Sequence, residues 1–141
     1  MLSIGSGSGL LEAFVLQQGK IDGKAPLALY GVEVPSCINK HLPAERLLRV
    51  ASTTSLYTDS IFASALVFVY PRQVSLIARY LDLCLSGALQ MVVWLGHRSD
   101  WPDTEGVLSA AFAAMEYFEE PGIAEYELLV IATEPQIAKN S

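Results

Sequence analysis

The chain has 141 residues, 52% hydrophobic and 17% charged, with a formal net charge of −6 at pH 7. That length suits one domain with a single buried core, and the composition excludes a disordered chain. Asp and Glu outnumber Lys and Arg by 15 to 9, so the positive patch that a nucleic acid partner requires is not expected.

Mean hydropathy is +0.37, high for a soluble domain. Much of the chain is therefore expected to be buried on both faces, or covered by a second copy or a partner chain. No apolar run approaches the ~20 residues of a membrane helix. The longest, around Ile61 to Tyr70 and Ala88 to Leu95, have strand length, and no membrane association is expected. No basic region precedes the first apolar stretch, which argues against a secretory leader and for a cytoplasmic protein. Cys37 and Cys84 read as two reduced thiols rather than a disulfide or zinc pair. No metal-ligand cluster or nucleophilic triad has persuasive spacing, so no metal is expected.

The first predicted element is a short strand, Leu2-Ser3-Ile4, running into Gly5-Ser6-Gly7-Ser8-Gly9, and a helix over Leu10 to Leu16 follows. Gly19 suits the helix end. A second strand is expected over Leu27 to Val34, stopped by Pro35, then a short helix over Ser36 to Leu42 and a weaker strand over Leu47 to Val50. After a Ser/Thr-rich connection, Phe62 to Tyr70 reads as a buried strand ended by Pro71. Apolar residues at 74, 77, 78, 81 and 85 then have helical spacing, with Gly87 as the stop. Leu89 to Leu95 reads as the fifth strand and Gly96 to Pro102 as a polar loop. A helix capped by Asp103 or Thr104 follows, then Met115 to Phe118, ambiguous between helix and strand, a Pro121-Gly122 turn and a strand over Tyr126 to Thr133.

Strands alternating with helices, the inner strands apolar on both faces, predict an α/β, doubly wound, mostly parallel sheet. The Pro-Gly-turned pair predicts an antiparallel hairpin at the C-terminal end. There is no repeat or linker, so residues 1–141 are expected to form a single domain. Ligands in such folds sit beyond the carboxyl ends of the strands.

A strand, a glycine turn and a helix start form a backbone cradle: glycine allows close approach, and the helix start attracts polar or anionic groups. Dinucleotide sites prefer G-x-G-x-x-G, but the third position, counted from Gly5 and Gly7, is Leu10. The spacing is instead G-x-G-x-G. Ser3-Ile4-Gly5-Ser6-Gly7-Ser8-Gly9 resembles the first motif of class I S-adenosylmethionine-dependent methyltransferases, which wraps the methionine part of the cofactor. Glu33, in Tyr30-Gly31-Val32-Glu33-Val34, resembles the acid that ends the second strand and takes the ribose hydroxyls; a carboxylate can accept both hydrogens.

The resemblance implies a Rossmann-like sheet in the order 3-2-1-4-5-7-6, without the family's usual helices before the first strand. It implies S-adenosylmethionine held by Ser3, Gly5, Ser6, Gly7, Gly9, Glu33, Val34, Ser52 and Tyr70. Ser3 stands where the family usually has an acid, and Glu12 is the candidate to replace it. A small-molecule acceptor would meet Arg72, Arg98 and Trp101, with His97 as candidate general base, because histidine exchanges protons near neutral pH. Each has a plainer reading: Pro71 as a helix start with Arg72 solvated, His97 as an exposed loop residue, Ser52, Thr53, Thr54 and Asp59 as caps, and His41 as solvated. Methyl transfer itself asks mainly for alignment. The alternatives are a partner-binding or oligomeric module that no longer methylates, and a cofactor-assisted cyclase or isomerase.

Overall fold

The computed structural model describes residues 1–5, 29–34, 40–52, 55–119 and 125–136. Seven strands form one mixed sheet in the order β3-β2-β1-β4-β5-β7-β6, the predicted order and fold class. The chain divides into two compact units, Met1–Tyr57 and Thr58–Ser141.

In the first unit, β1 (Leu2–Ile4), β2 (Tyr30–Glu33) and β3 (Leu47–Arg49) run parallel. All three residues of β1 are buried, as expected of a parallel strand covered on both faces. Among the described residues, Leu29, Val32 and Leu42 are also buried in this unit. A 3-10 turn, Ala44–Arg46, leads into β3 and sets the Arg46 guanidinium 5.1 Å from the Tyr30 ring centroid. The expected helix over Ser36 to Leu42 is not a helix where it is described, because Lys40 to Leu42 form a bend. The helix over Leu10 to Leu16 lies outside the described residues.

In the second unit, a 3-10 turn at Thr58–Phe62 precedes β4 (Ala65–Val69), so Phe62 is not part of the strand. Helix α1 (Val74–Cys84) links β4 to the parallel β5 (Met91–His97). It buries Ile77, Tyr80, Leu81 and Cys84, a spacing that keeps one stripe on the core. Leu66 and Phe68 of β4 are fully buried, and Phe68 meets Tyr80 edge to face. Cys84 is a free thiol, and burial pushes it above its ordinary titration range. Gly87 does not end the helix. It lies in the turn after it, where a Cβ would sit 2.2 Å from the Ile61 carbonyl oxygen, and Ala88 N–H donates to that same carbonyl.

A 3-10 turn, Arg98–Asp100, and helix α2 (Trp101–Ala111) follow β5, with a proline in the first turn of α2, where its missing N–H costs least. Then β6 (Phe112–Phe118) and β7 (Glu127–Pro135) form an antiparallel pair, and β7 also pairs antiparallel with β5. The ambiguous segment at Met115 is thus strand. The fifth strand ends at His97 rather than Leu95, because the ladder to β7 carries on through Gly96–Leu128 and His97–Glu127. Gly96 and His97 therefore leave the predicted loop, and Trp101 starts α2, ahead of the predicted caps.

Candidate functional site

The carboxyl ends of β1 and β2 carry the first group of candidates. Ser3 is buried in β1. Gly5 follows the strand at φ +74°, and no described residue lies within 4 Å of where a Cβ would stand. Only glycine takes that backbone without cost, and the open side lets another molecule approach the main chain. Gly5 N–H donates to the Val32 carbonyl, which ties the turn to β2.

One Glu33 carboxylate oxygen accepts the Val34 N–H at 2.9 Å, so the acid is folded back over the strand end and oriented. Arg49 donates to the Val34 carbonyl at 2.6 Å, and Val50 N–H donates to the Glu33 carbonyl. A glycine turn open to close approach beside an oriented carboxylate fits the donor and acceptor needs of an amino acid nucleoside such as S-adenosylmethionine. Ser52 is exposed and shares a 2.8 Å hydrogen bond with the Ser55 hydroxyl. Ser6, Gly7, Gly9 and Glu12 lie outside the described residues.

The second group lies at the carboxyl ends of β4 and β5. Tyr70 adopts φ +48°, a left-handed backbone that is uncommon for a bulky residue and collects at functional sites. Its N–H donates to the Leu95 carbonyl and its hydroxyl to Glu127. Desolvation of the phenol, with the Glu127 hydrogen bond and charge behind it, pushes Tyr70 up to about 12. Arg72 is exposed.

His97 Nδ1 accepts the Ser99 N–H at 3.1 Å and lies 2.6 Å from the Ser99 hydroxyl. Its ring stacks on Tyr126 at 5.7 Å. Arg98 donates to the Glu125 carbonyl at 2.7 Å and pairs with Glu119 at 2.8 Å. Trp101 is 8% exposed, packed on Trp94 and Tyr117, so its indole is held in the core and not presented to solvent. Ser99, Tyr126 and Glu127 join this group with no signal in the sequence to mark them. Each joins His97 through the β5–β7 register or a tight turn, and neither leaves a residue pattern that can be read before folding.

No protein-family model matches the chain, and no curated protein matches it. Solved structures do. A candidate methyltransferase from Thermoplasma acidophilum has a TM-score of 0.60 at 14% identity, over 94% of this chain and 66% of that one. A precorrin-6y C5,15-methyltransferase from Geobacter metallireducens has a TM-score of 0.61 at 12% identity, over 93% and 76%. The fold is the Rossmann-like methyltransferase fold.

A chain from a complex between the Haloferax volcanii Trm112 methyltransferase activator and a candidate methyltransferase shares this methyltransferase fold, with a TM-score of 0.61 at 12% identity over 99% and 83%. The present chain spans just under two thirds of the length of the Thermoplasma protein. Among the described residues no helix is long and apolar enough to cross a membrane, and no group of three or more His, Cys, Asp or Glu is placed to hold a metal ion.

Proposed function

We propose that this methyltransferase-fold chain binds S-adenosylmethionine through residues Gly5 to Gly9, Ser3, Glu33 and Val34, with Ser52 contributing, and transfers its methyl group to a small-molecule acceptor in the cytoplasm. The observation that carries the reading is the oriented Glu33 carboxylate at the end of β2, next in the sheet to the open glycine position at the end of β1. The cofactor supplies an already activated methyl on a sulfonium. This chain's own residues therefore need only bind and orient. Arg72 and Arg98 are the acceptor-facing side chains in this reading, with His97 as candidate general base and Trp101 supporting from the core.

Calorimetric titration with S-adenosylmethionine tests the binding step. Heat is expected at millimolar ligand or below, and its absence sinks the reading. Glu33→Ala removes a carboxylate hydrogen bond worth about 1–2 kcal/mol, so affinity is expected to fall by about 5–30-fold.

One observation favours a second reading, a partner-binding module that no longer methylates. Phe62 is 79% exposed and Tyr117 48%, apolar surface that a second copy or a partner chain would cover. Light scattering on the purified protein separates the two: a monomer that binds S-adenosylmethionine favours the enzyme, and a dimer or hetero-complex without affinity favours the module.

A further inference from the structure

The two outer strands of the sheet are finished differently. β3 has three residues and closes on the exposed Arg49, and a short, charged strand discourages pairing along an open edge. β6, the outer strand of the second unit, runs for seven residues, Phe112-Ala113-Ala114-Met115-Glu116-Tyr117-Phe118. It has no Lys, Arg, Pro or Gly, and its one charge is Glu116. Its register against β7 holds from Phe112–Pro135 to Phe118–Leu129 with no inserted residue, so no bulge bends this edge away. One side of the β6 backbone pairs with β7, and among the described residues no strand takes the other.

The side chains of β6 suit a second copy of the same strand. In an antiparallel pair centred on Met115, Phe112 stands opposite Phe118 of the second copy, Ala113 opposite Tyr117, Ala114 opposite Glu116, and Met115 opposite itself. Opposed side chains share a face and touch. Rings therefore meet rings, and the Tyr117 side chain, 48% exposed, meets a small alanine that is itself exposed. Each Glu116 carboxylate faces an alanine. Centring on Glu116 instead would oppose the two carboxylates, which is destabilising, and would leave two residues of the strand unpaired. A mean hydropathy of +0.37 accords with surface that a second copy covers.

We propose that two copies of this chain pair antiparallel along β6, about a two-fold axis at Met115, and join their sheets into one. The same edge serves both copies, so the contact closes on itself as a dimer. The free N–H and C=O groups of each edge bond to those of the other. No residue assigned to the cofactor or acceptor lies on β6, so the dimer stands apart from the methyl-transfer reading.

The test is sedimentation velocity on the full chain across a range of concentrations, with hydrogen exchange of the β6 amides. A species of twice 15.3 kDa is expected, with amides of Ala113 to Tyr117 that lose protection as dilution releases the monomer. Ala113→Lys places a charge on the edge at an exposed position, and is expected to be monomeric where the wild type is a dimer. Met115→Cys is expected to link two chains through the introduced thiols when treated with a short bifunctional thiol reagent, with the link mapped by mass spectrometry, and Glu116→Cys is not. A monomer at every concentration, a dimer that survives Ala113→Lys, or linking through Glu116→Cys in place of Met115→Cys overturns the proposal. Slow β6 exchange in a monomer also overturns it, because the chain's own residues would then cover the edge. If Ala113→Lys does not fold, the linking pattern decides.

Discussion

The strand ends of the first unit and those of the second are organised by different parts of the chain. At β1 and β2 the backbone does most of the work: Gly5 turns at positive φ, its N–H is tied to Val32, and the Glu33 carboxylate folds onto the next N–H. At β4, β5 and β7 side chains do it, through Tyr70 on Glu127, Ser99 on His97 and Arg98 on Glu119. The packing beneath differs too. Leu2, Ile4, Leu29, Val32 and Leu42 are the buried apolar residues described in the first unit, whereas Trp94, Tyr80, Phe68 and Phe112 lead the fully buried ones in the second. A backbone-built site is set by local sequence, and a side-chain-built one depends on strands far apart in sequence meeting in one register.

The largest expected effect lies in the core of the second unit. Phe68→Ala removes a fully buried ring packed on Tyr80 and is expected to cost about 3–5 kcal/mol in urea unfolding. Ile4→Val in β1 is expected to cost about 0.5–1.5 kcal/mol. Equal costs would erase the contrast in packing.

Gly96→Ala comes next. A Cβ there would stand 2.6 Å from the buried Trp94 ring, and overpacking of this kind costs about 1–3 kcal/mol. A thermal melt should show the loss, and near-ultraviolet circular dichroism should show the indole displaced. Gly5→Ala meets open space, so its cost is that of the left-handed backbone alone, about 1–2 kcal/mol. If Gly5→Ala destabilises as much as Phe68→Ala, the turn is packed and not open.

The smallest effect sharpens the side-chain half of the comparison. The Tyr70 phenol, raised from 10 to about 12, should be the late step of an ultraviolet tyrosinate titration, identified by its loss in Tyr70→Phe. Its folded value lies above its unfolded one, so its contribution to stability is complete below pH 10 and is lost as pH rises through about 12. Glu127→Gln removes the neighbouring charge and is expected to move that step downward. A step that does not move would mean that desolvation alone raises it.

Much of the sheet was legible before any coordinates. Leu66 to Val69 and the alternating Leu128, Val130 and Ala132 announce strands because buried strands demand apolar residues at period one or two, and Val74 to Cys84 announces a helix for the matching reason at period 3.6. Gly5 was legible as a turn because a left-handed backbone selects glycine. From sequence Trp101 reads as a loop residue, since an aromatic next to a proline looks the same in a polar turn and in the first turn of a buried helix. Gly87 reads from sequence as a helix stop, because sequence shows a helix breaker and not the Ile61 carbonyl oxygen that lies 2.2 Å from where its Cβ would be.

By itself the sequence determined the periodicities, the mixed α/β class, the glycine turn and the acid at Glu33, because each is a local demand of backbone geometry or burial. Only the tertiary structure decided that His97 faces Glu127, that Ser99 occupies the lone pair of His97 Nδ1, and that Tyr70 reaches across to Glu127 from 57 residues away. Those relations come from the antiparallel register of β5 on β7, where sliding by one residue would turn every side chain to the other face. That register is set by which apolar faces bury together, Val92 with Ala132 and Trp94 with Val130, not by the polar residues it brings into line.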